Sequence, residues 1–230
     1  MAKHAGYPQA GKACAVKVLI YSGYSDNNRD VAELSRPNWS DYARRHGYEV
    51  KADNVPWDEW KLEGLKRTRE HLKNYHLVAC IGSDVLFMNQ TIELPPLCHD
   101  NEMGDLSALT ISREAIGWWP INNDVALWYQ CEAAFELLDR LIADAPIWLK
   151  YPWLWQNHLW NLMQQHLGIN MMVNVRECRE LQSTHRDGAS KWQLGDFIIH
   201  LLDCDNETKK KLIKMYLPFA GDGTYYPKHK

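Results

Sequence analysis

The stretch His76-Leu77-Val78-Ala79-Cys80-Ile81-Gly82-Ser83-Asp84-Val85-Leu86-Phe87-Met88 decides how this chain is read. Its first six residues form a short, apolar, partly β-branched run of the kind that makes a strand covered on both faces. Gly82-Ser83-Asp84 interrupts the run, and apolar character resumes at Val85. An acid in such a break is costly to bury without a partner. A bound cation is one natural partner for Asp84. The plainer reading is an aspartate capping its own turn.

Working outward, Val16–Ser22 predicts a first buried strand that passes into a loop at Ser22-Gly23-Tyr24. Helical character follows Asp26–Arg29, with a break expected near Pro37 and a restart over Asn38–Arg45. Gly47 is placed to end that helix, and Tyr48–Lys51 predicts a second strand. Pro56 can open the next helix, in which Trp57, Trp60, Lys61, Leu65 and Leu72 recur at helical spacing.

Beyond Asp84, Ser107–Ile111 reads as a strand and Ile116–Asn123 as an aromatic loop. Val125–Ile142 is extended at its start and helical later. Trp153–Leu167 is a further helix and Met171–Val175 a strand. Arg176–Lys191 reads as loop, Phe197–Leu202 as a late strand, Glu207–Tyr216 as a helix, and Gly221 onward as a mobile tail. Strands alternating with helices argue for one α/β domain with a mostly parallel central sheet flanked by helices. No G-x-G-x-x-G or G-x-x-x-x-G-K spacing follows the first strand, so neither a dinucleotide fold nor a P-loop is supported.

The 26 basic and 29 acidic residues leave a net charge of −3, so nothing general draws the chain to nucleic acid or anionic membrane. Lys209–Lys211 is the compact lysine run, read as a solvated helix face. No apolar stretch is long enough to span a bilayer, and residues 1–15 lack the apolar core of a signal peptide. A cytosolic setting follows, that of a bacterial cell or of a host cell if the chain is viral. The six cysteines form no Cys-x-x-Cys pair and read as reduced thiols. Most of the eleven tryptophans read as core, with Trp118 and Trp119 as candidates to stack on a sugar ring.

His200 changes the reading of Asp84. It closes Gly195-Asp196-Phe197-Ile198-Ile199-His200, again at the end of a short apolar strand. A carboxylate and an imidazole, each ending a strand, can meet at one sheet edge. Such a mixed pair suits Mn²⁺ or Mg²⁺, with diphosphate oxygens completing the shell.

Several stretches then match a known family in order. They are Asn38-Trp-Ser-Asp-Tyr42-Ala43-Arg-Arg-His46-Gly47-Tyr48, Cys80-Ile-Gly82-Ser83-Asp84-Val85-Leu86-Phe87, Asn122-Asn123-Asp124-Val125, Trp153-Leu-Trp155-Gln156 and Gly195-Asp196-Phe197-Ile-Ile-His200. In these the chain resembles the nucleotide-sugar glycosyltransferases of GT-A (Rossmann-like) fold, most closely glycosyltransferase family 34. The resemblance implies a GT-A domain over 16–204, between an N-terminal extension (1–15) and a C-terminal helix and tail (205–230). It implies a retaining hexosyltransferase that uses a nucleotide-sugar, with a UDP-sugar favoured, and a glycan or other hydroxyl acceptor. By the same resemblance Asp84 and His200 bind the metal. Ser22, Gly23, Tyr24, Lys61, Ser83 and Asn122 face the nucleotide-sugar, and Gln156 lies near the donor sugar.

Three positions depart from the family pattern. Gly82 replaces the first acid of the Asp-x-Asp motif, so Asp84 is expected to carry the carboxylate side nearly alone. Asp124 stands where relatives have glycine and is the candidate base should the reaction invert. Trp155 replaces an acid before the glutamine. Other readings of the chain are an inactive nucleotide-sugar-binding module and a transferase acting on a modified DNA base, which the acidic balance does not favour.

Overall fold

The computed structural model describes residues 16–56, 60–99, 107–114, 120–150 and 154–223. Trp57, Trp118, Trp119, Trp153 and the expected N-terminal extension lie outside them. The chain opens with β1 (Val18–Tyr24), α1 (Arg29–His46), β2 (Glu49–Asn54), α2 (Trp60–His71), β3 (Leu77–Ile81) and β4 (Val85–Phe87). Next come β5 (Leu109–Arg113), β6 (Ile121–Tyr129), α3 (Glu132–Ala143), α4 (Ala145–Trp148), α5 (Leu154–Gln165) and α6 (Leu167–Met172). It ends with β7 (Val173–Arg176), α7 (Cys178–Leu181), β8 (Ser183–Thr184), β9 (Ile198–His200) and α8 (Asn206–Tyr216).

Six strands form the central sheet in the order β2-β1-β3-β6-β5-β7. Only β6 runs against the others, pairing antiparallel with β3 and β5. The sheet is therefore mostly parallel, as expected. Strand alternation splits the core in two. Leu19, Val78 and Trp128 face one side, with Leu137 of α3 and Leu159 of α5. Ile20, Ala79 and Leu127 face the other, with Trp39 and Tyr42 of α1. A small second sheet, β4-β9-β8, lies beyond the ends of β1 and β3. Its buried Leu86 and Ile199 pack with Val31 of α1 and Ile213 of α8.

Several sequence expectations need correction, among them Arg176–Lys191, which is not all loop but carries α7 and β8. The helix does not break near Pro37: α1 runs unbroken from Arg29 to His46. Its buried positions Val31, Ala32, Ser35, Asn38, Trp39, Tyr42 and Ala43 follow one continuous stripe. Burial of that stripe outweighs the hydrogen bond lost at proline. Ser22-Gly23-Tyr24 is not a loop but the end of β1, paired with Ala52, Asp53 and Asn54. Ile121–Asn123 belongs to β6 rather than to a loop. Finally, the tail is held where it begins, since Gly221 exchanges backbone hydrogen bonds with Met88 and Gln90.

The stretch from Asn38 to Tyr48 has a mechanical job. On one edge β4 pairs with β9. On the other it meets side chains of α1. Asn38 Nδ2 donates to Phe87 O at 2.9 Å, and Phe87 N donates back to Asn38 Oδ1 at 2.7 Å. Trp39 Nε1 donates to Val85 O at 2.7 Å, and Tyr42 Oη to Ile92 O at 2.7 Å. The ring of Tyr42 stacks on Phe87 with centroids 4.0 Å apart. Amide and indole groups on the helix thus replace the missing neighbour strand and satisfy the edge of β4. Gly47 ends the helix in the left-handed region, at φ 70°.

Candidate functional site

The site is built where β3 ends and β4 begins. Asp84 sits in the turn between them, and β4 pairs antiparallel with β9 so that Val85 faces His200. Leu201 N donates to Asp84 O at 3.1 Å, which fixes the two strand ends side by side. The expected meeting of Asp84 and His200 at one edge is therefore present in the geometry. His200 Nε2 lies 3.6 Å from Asp84 Oδ1, and both residues are buried.

Two further groups complete the cluster. His200 Nε2 is also 3.6 Å from Asp124 Oδ2. Lys209, from α8, places Nζ 2.6 Å from Asp84 Oδ2. The reading of Lys209–Lys211 as a solvated face fails at Lys209 and Lys210, whose side chains are only 21% and 22% exposed, and it is Lys209 that reaches Asp84. The reason is helical register: Lys209 lies one turn before Ile213, the buried residue that docks α8 on α1. A lysine on the apolar stripe of α8 was the sequence signal for this residue.

Electrostatics follow from the burial. Desolvation alone would raise the pKa of Asp84, but the nearby His200 and the Lys209 ammonium outweigh it and hold the carboxyl below its usual range. For Lys209 burial pushes the other way, and contact with Asp84 lifts its pKa above the ordinary value. The pair is a buried ion pair in which each partner keeps the other charged.

A cleft opens beside the cluster, on the α2 and α5 side of the sheet. Tyr21, Gly23, Lys61, Gly82, Asp124 and Trp155 contribute to its walls. Burial lowers the pKa of Lys61, with the charge of Asp124 opposing the shift. Burial likewise raises that of Tyr21, with the charge of Asp53 adding to the shift. Tyr21 read as core in the sequence; its alternation with Leu19 puts it on the cleft face.

The other expected site residues divide. Ser22 alternates with Ile20 and is not among the cleft-lining residues; its hydroxyl is buried and unpartnered. Tyr24 packs against the core on the α1 side. Ser83 Oγ accepts from Asn28 Nδ2 at 2.9 Å, which braces the turn that carries Asp84. Asn122 donates to Glu114 Oε2 at 2.9 Å and accepts from the backbone of Asp124 at 2.9 Å. Gln156, on α5, is buried beneath β6. Its Oε1 accepts from Asn123 N at 3.2 Å, while Nε2 is buried and unpartnered.

Among the described residues no group of three or more His, Cys, Asp or Glu side chains could hold a metal ion by itself. Asp84 and His200 are the pair that could contribute donors to a divalent ion, with the Lys209 ammonium against the same carboxylate. Neighbouring donors on an ion bound at about 2.0–2.6 Å stand roughly 3–3.6 Å apart. The 3.6 Å gap between Asp84 Oδ1 and His200 Nε2 has that spacing and is too long for a hydrogen bond.

Among solved structures the chain is similar to a glycosyltransferase involved in glycosylation of the major capsid of PBCV-1. The TM-score is 0.65 at 14% identity, over 86% of this chain and 99% of that one. The fold is GT-A. A second GT-A structure, the galactosyltransferase LgtC in complex with donor and acceptor sugar analogues, matches at TM-score 0.57 and 13% identity over 91% of this chain and 98% of its own. A third, the glycosyltransferase GlyE of Streptococcus pneumoniae TIGR4, matches at 0.56 and 12% identity over 89% of this chain and 60% of its own. No protein-family model and no curated sequence matches the chain. Among the described residues no helix is long and apolar enough to cross a membrane.

Proposed function

We propose that this chain is a metal-dependent, retaining glycosyltransferase that moves a hexose from a UDP-sugar to a hydroxyl acceptor. The observation that carries the reading is the meeting of Asp84 and His200 at one strand-end edge, beside the Tyr21–Lys61–Trp155 cleft, in a GT-A fold. Open α/β sheets bind ligands beyond the carboxyl ends of their strands, and this cluster stands there.

Asp84 and His200 would hold Mn²⁺ or Mg²⁺, which when bound neutralises charge on the leaving diphosphate. The chain's own residues do the rest. Gly23 and Lys61 face the nucleotide side of the cleft, and Ser83 steadies the metal-bearing turn. Lys209 keeps Asp84 ionised and brings a second positive charge to the diphosphate side. Gln156 holds a buried amide N–H₂ without a partner next to β6, a group suited to orient the sugar. In a front-face reaction the acceptor hydroxyl enters on the leaving-group side and gives up its proton to the departing phosphate oxygen. No protein base is then required. Should the reaction invert, a carboxylate is needed opposite the leaving group, and Asp124 would be the candidate.

The segments 1–15 and 205–230 are proposed to lie outside the catalytic domain proper, with Lys209 of α8 reaching into the site. A cytosolic location and a glycan or similar acceptor complete the proposal; nucleic acid is not favoured by the charge balance.

The test is incubation with Mn²⁺ and a panel of UDP- and GDP-sugars. Hydrolysis or transfer of one UDP-hexose is the expected result. Tight donor binding with no turnover on any acceptor would instead support an inactive binding module, the reading that Gly82 favours. Proton NMR of the product gives a separate prediction. An α-linked donor is expected to yield an α-linked product, and a β-linked product would sink the retaining mechanism.

A further inference from the structure

We propose that the donor sugar is a 6-deoxyhexose, with a methyl group at C5 where an ordinary hexose has a hydroxymethyl, and that Trp155 makes this choice. The proposal deepens the UDP-hexose reading above and rests on it.

The cleft is amphipathic. Lys61, Asn123 and Asp124 bring polar groups to it. Leu65 of α2, Trp128 of β6 and Trp155 of α5 line the same space, and all three belong to the buried core on that side of the sheet. The two indoles stand with ring centroids 6.4 Å apart. Open space remains along α2, where a Cβ added at Gly64 would meet no atom within 4 Å.

Other polar atoms around the cleft are already engaged. Thr68 Oγ1 donates to Gly64 O at 2.7 Å and lies 2.9 Å from Cys80 Sγ. The Tyr21 hydroxyl sits beside the charges of Asp53 and Arg67. Trp155 offers a ring face and one N–H donor, and no acceptor. A carboxylate at that position, the residue type it replaces, would accept from a sugar hydroxyl.

Trp155 is also next to the group assigned to orient the sugar. Gln156 follows it on α5, with Oε1 accepting from Asn123 N at 3.2 Å. A sugar held at Gln156, with its ring hydroxyls toward Lys61, Asn123 and Asp124, turns its C5 substituent to the indole wall. A methyl group there loses nothing on leaving water. A hydroxymethyl would bury a hydroxyl with no acceptor opposite it. A pentose, with hydrogen at C5, would leave the space unfilled and forfeit its contacts.

The experiment uses two donor series that differ only at C5. UDP-6-deoxyglucose, UDP-glucose and UDP-xylose form one; UDP-6-deoxygalactose, UDP-galactose and UDP-arabinopyranose form the other. Affinity is read by calorimetry on the full chain with Mn²⁺ present, and donor hydrolysis in parallel. In one series the 6-deoxy donor is expected to bind about 10- to 100-fold more tightly than its 6-hydroxyl counterpart, and at least about 10-fold more tightly than the pentose. Trp155→Asp is expected to bring the 6-deoxy and 6-hydroxyl donors within about threefold of each other, with binding of UDP alone as the check on folding. Should that variant not fold, the wild-type comparison decides by itself. If the 6-hydroxyl donor or the pentose binds as tightly as the 6-deoxy donor in both series, the proposal is overturned and the UDP-hexose reading stands. A folded Trp155→Asp that keeps the full preference takes the choice away from Trp155. If neither series is bound or hydrolysed, the UDP-hexose reading falls and the proposal falls with it.

Discussion

Replacing Asp84 with alanine is expected to lower sugar transfer by on the order of 10³-fold, the scale at which removing a principal electrostatic element slows a reaction. Both carboxylate oxygens of Asp84 have neighbours: Oδ2 is bound by Lys209 and Oδ1 faces His200. The substitution removes the anchor of the proposed ion and also leaves the Lys209 ammonium partly buried without its partner. The second effect should cost about 2–3 kcal/mol of stability, somewhat under the usual figure for breaking a buried pair, because Lys209 retains some solvent contact. The two effects can be separated. Lys209→Met added to Asp84→Ala should recover most of the stability and none of the turnover. Product formation followed by chromatography, beside urea unfolding, reads both. Turnover within about threefold of wild type in Asp84→Ala would remove this aspartate from the mechanism.

The second large effect lies far from any chemistry. Asn38→Ala is expected to destabilise the fold by about 2–4 kcal/mol. Two backbone groups of Phe87, one donor and one acceptor, would lose their partners in a buried setting, at about 1–3 kcal/mol each. Water cannot readily replace Asn38, which is 3% exposed. Because β4 directly follows Asp84, the surviving folded protein should also lose activity as the turn loosens. Trp39→Phe, which removes one hydrogen bond and some buried area, is the milder control. A loss below about 1 kcal/mol for Asn38→Ala, measured in urea, would show that β4 is held by its pairing with β9 alone.

These two cases mark how far the sequence could be read. The break at Gly82-Ser83-Asp84 and the strand-end position of His200 were legible because short apolar runs and their interruptions carry strand boundaries directly. The parallel sheet was legible from the alternation of strands and helices. The continuity of α1 through Pro37 was not, since it depends on what the far side of the helix packs against. Tyr21 looked like core because periodicity tells which face a residue lies on, not whether a cleft opens there.

Asp124 and Lys209 show the same boundary more sharply. A carboxylate missing at position 82 is visible in the sequence. Asp124, 42 positions later, comes against Gly82 only once β3 and β6 pair antiparallel. Lys209 belongs to a helix that the sequence sets apart from the core domain, and it reaches Asp84 only because Ile213 docks that helix on α1.

The sequence alone thus determined most element types, the sheet class and the two residues, Asp84 and His200, that meet beside the strand ends, since these follow from local pattern. Tertiary structure alone decided which charges meet there. Electrostatic contacts act over a few ångströms of space, and neither the pairing of β3 with β6 nor the seating of α8 on α1 is written in any local run of residues.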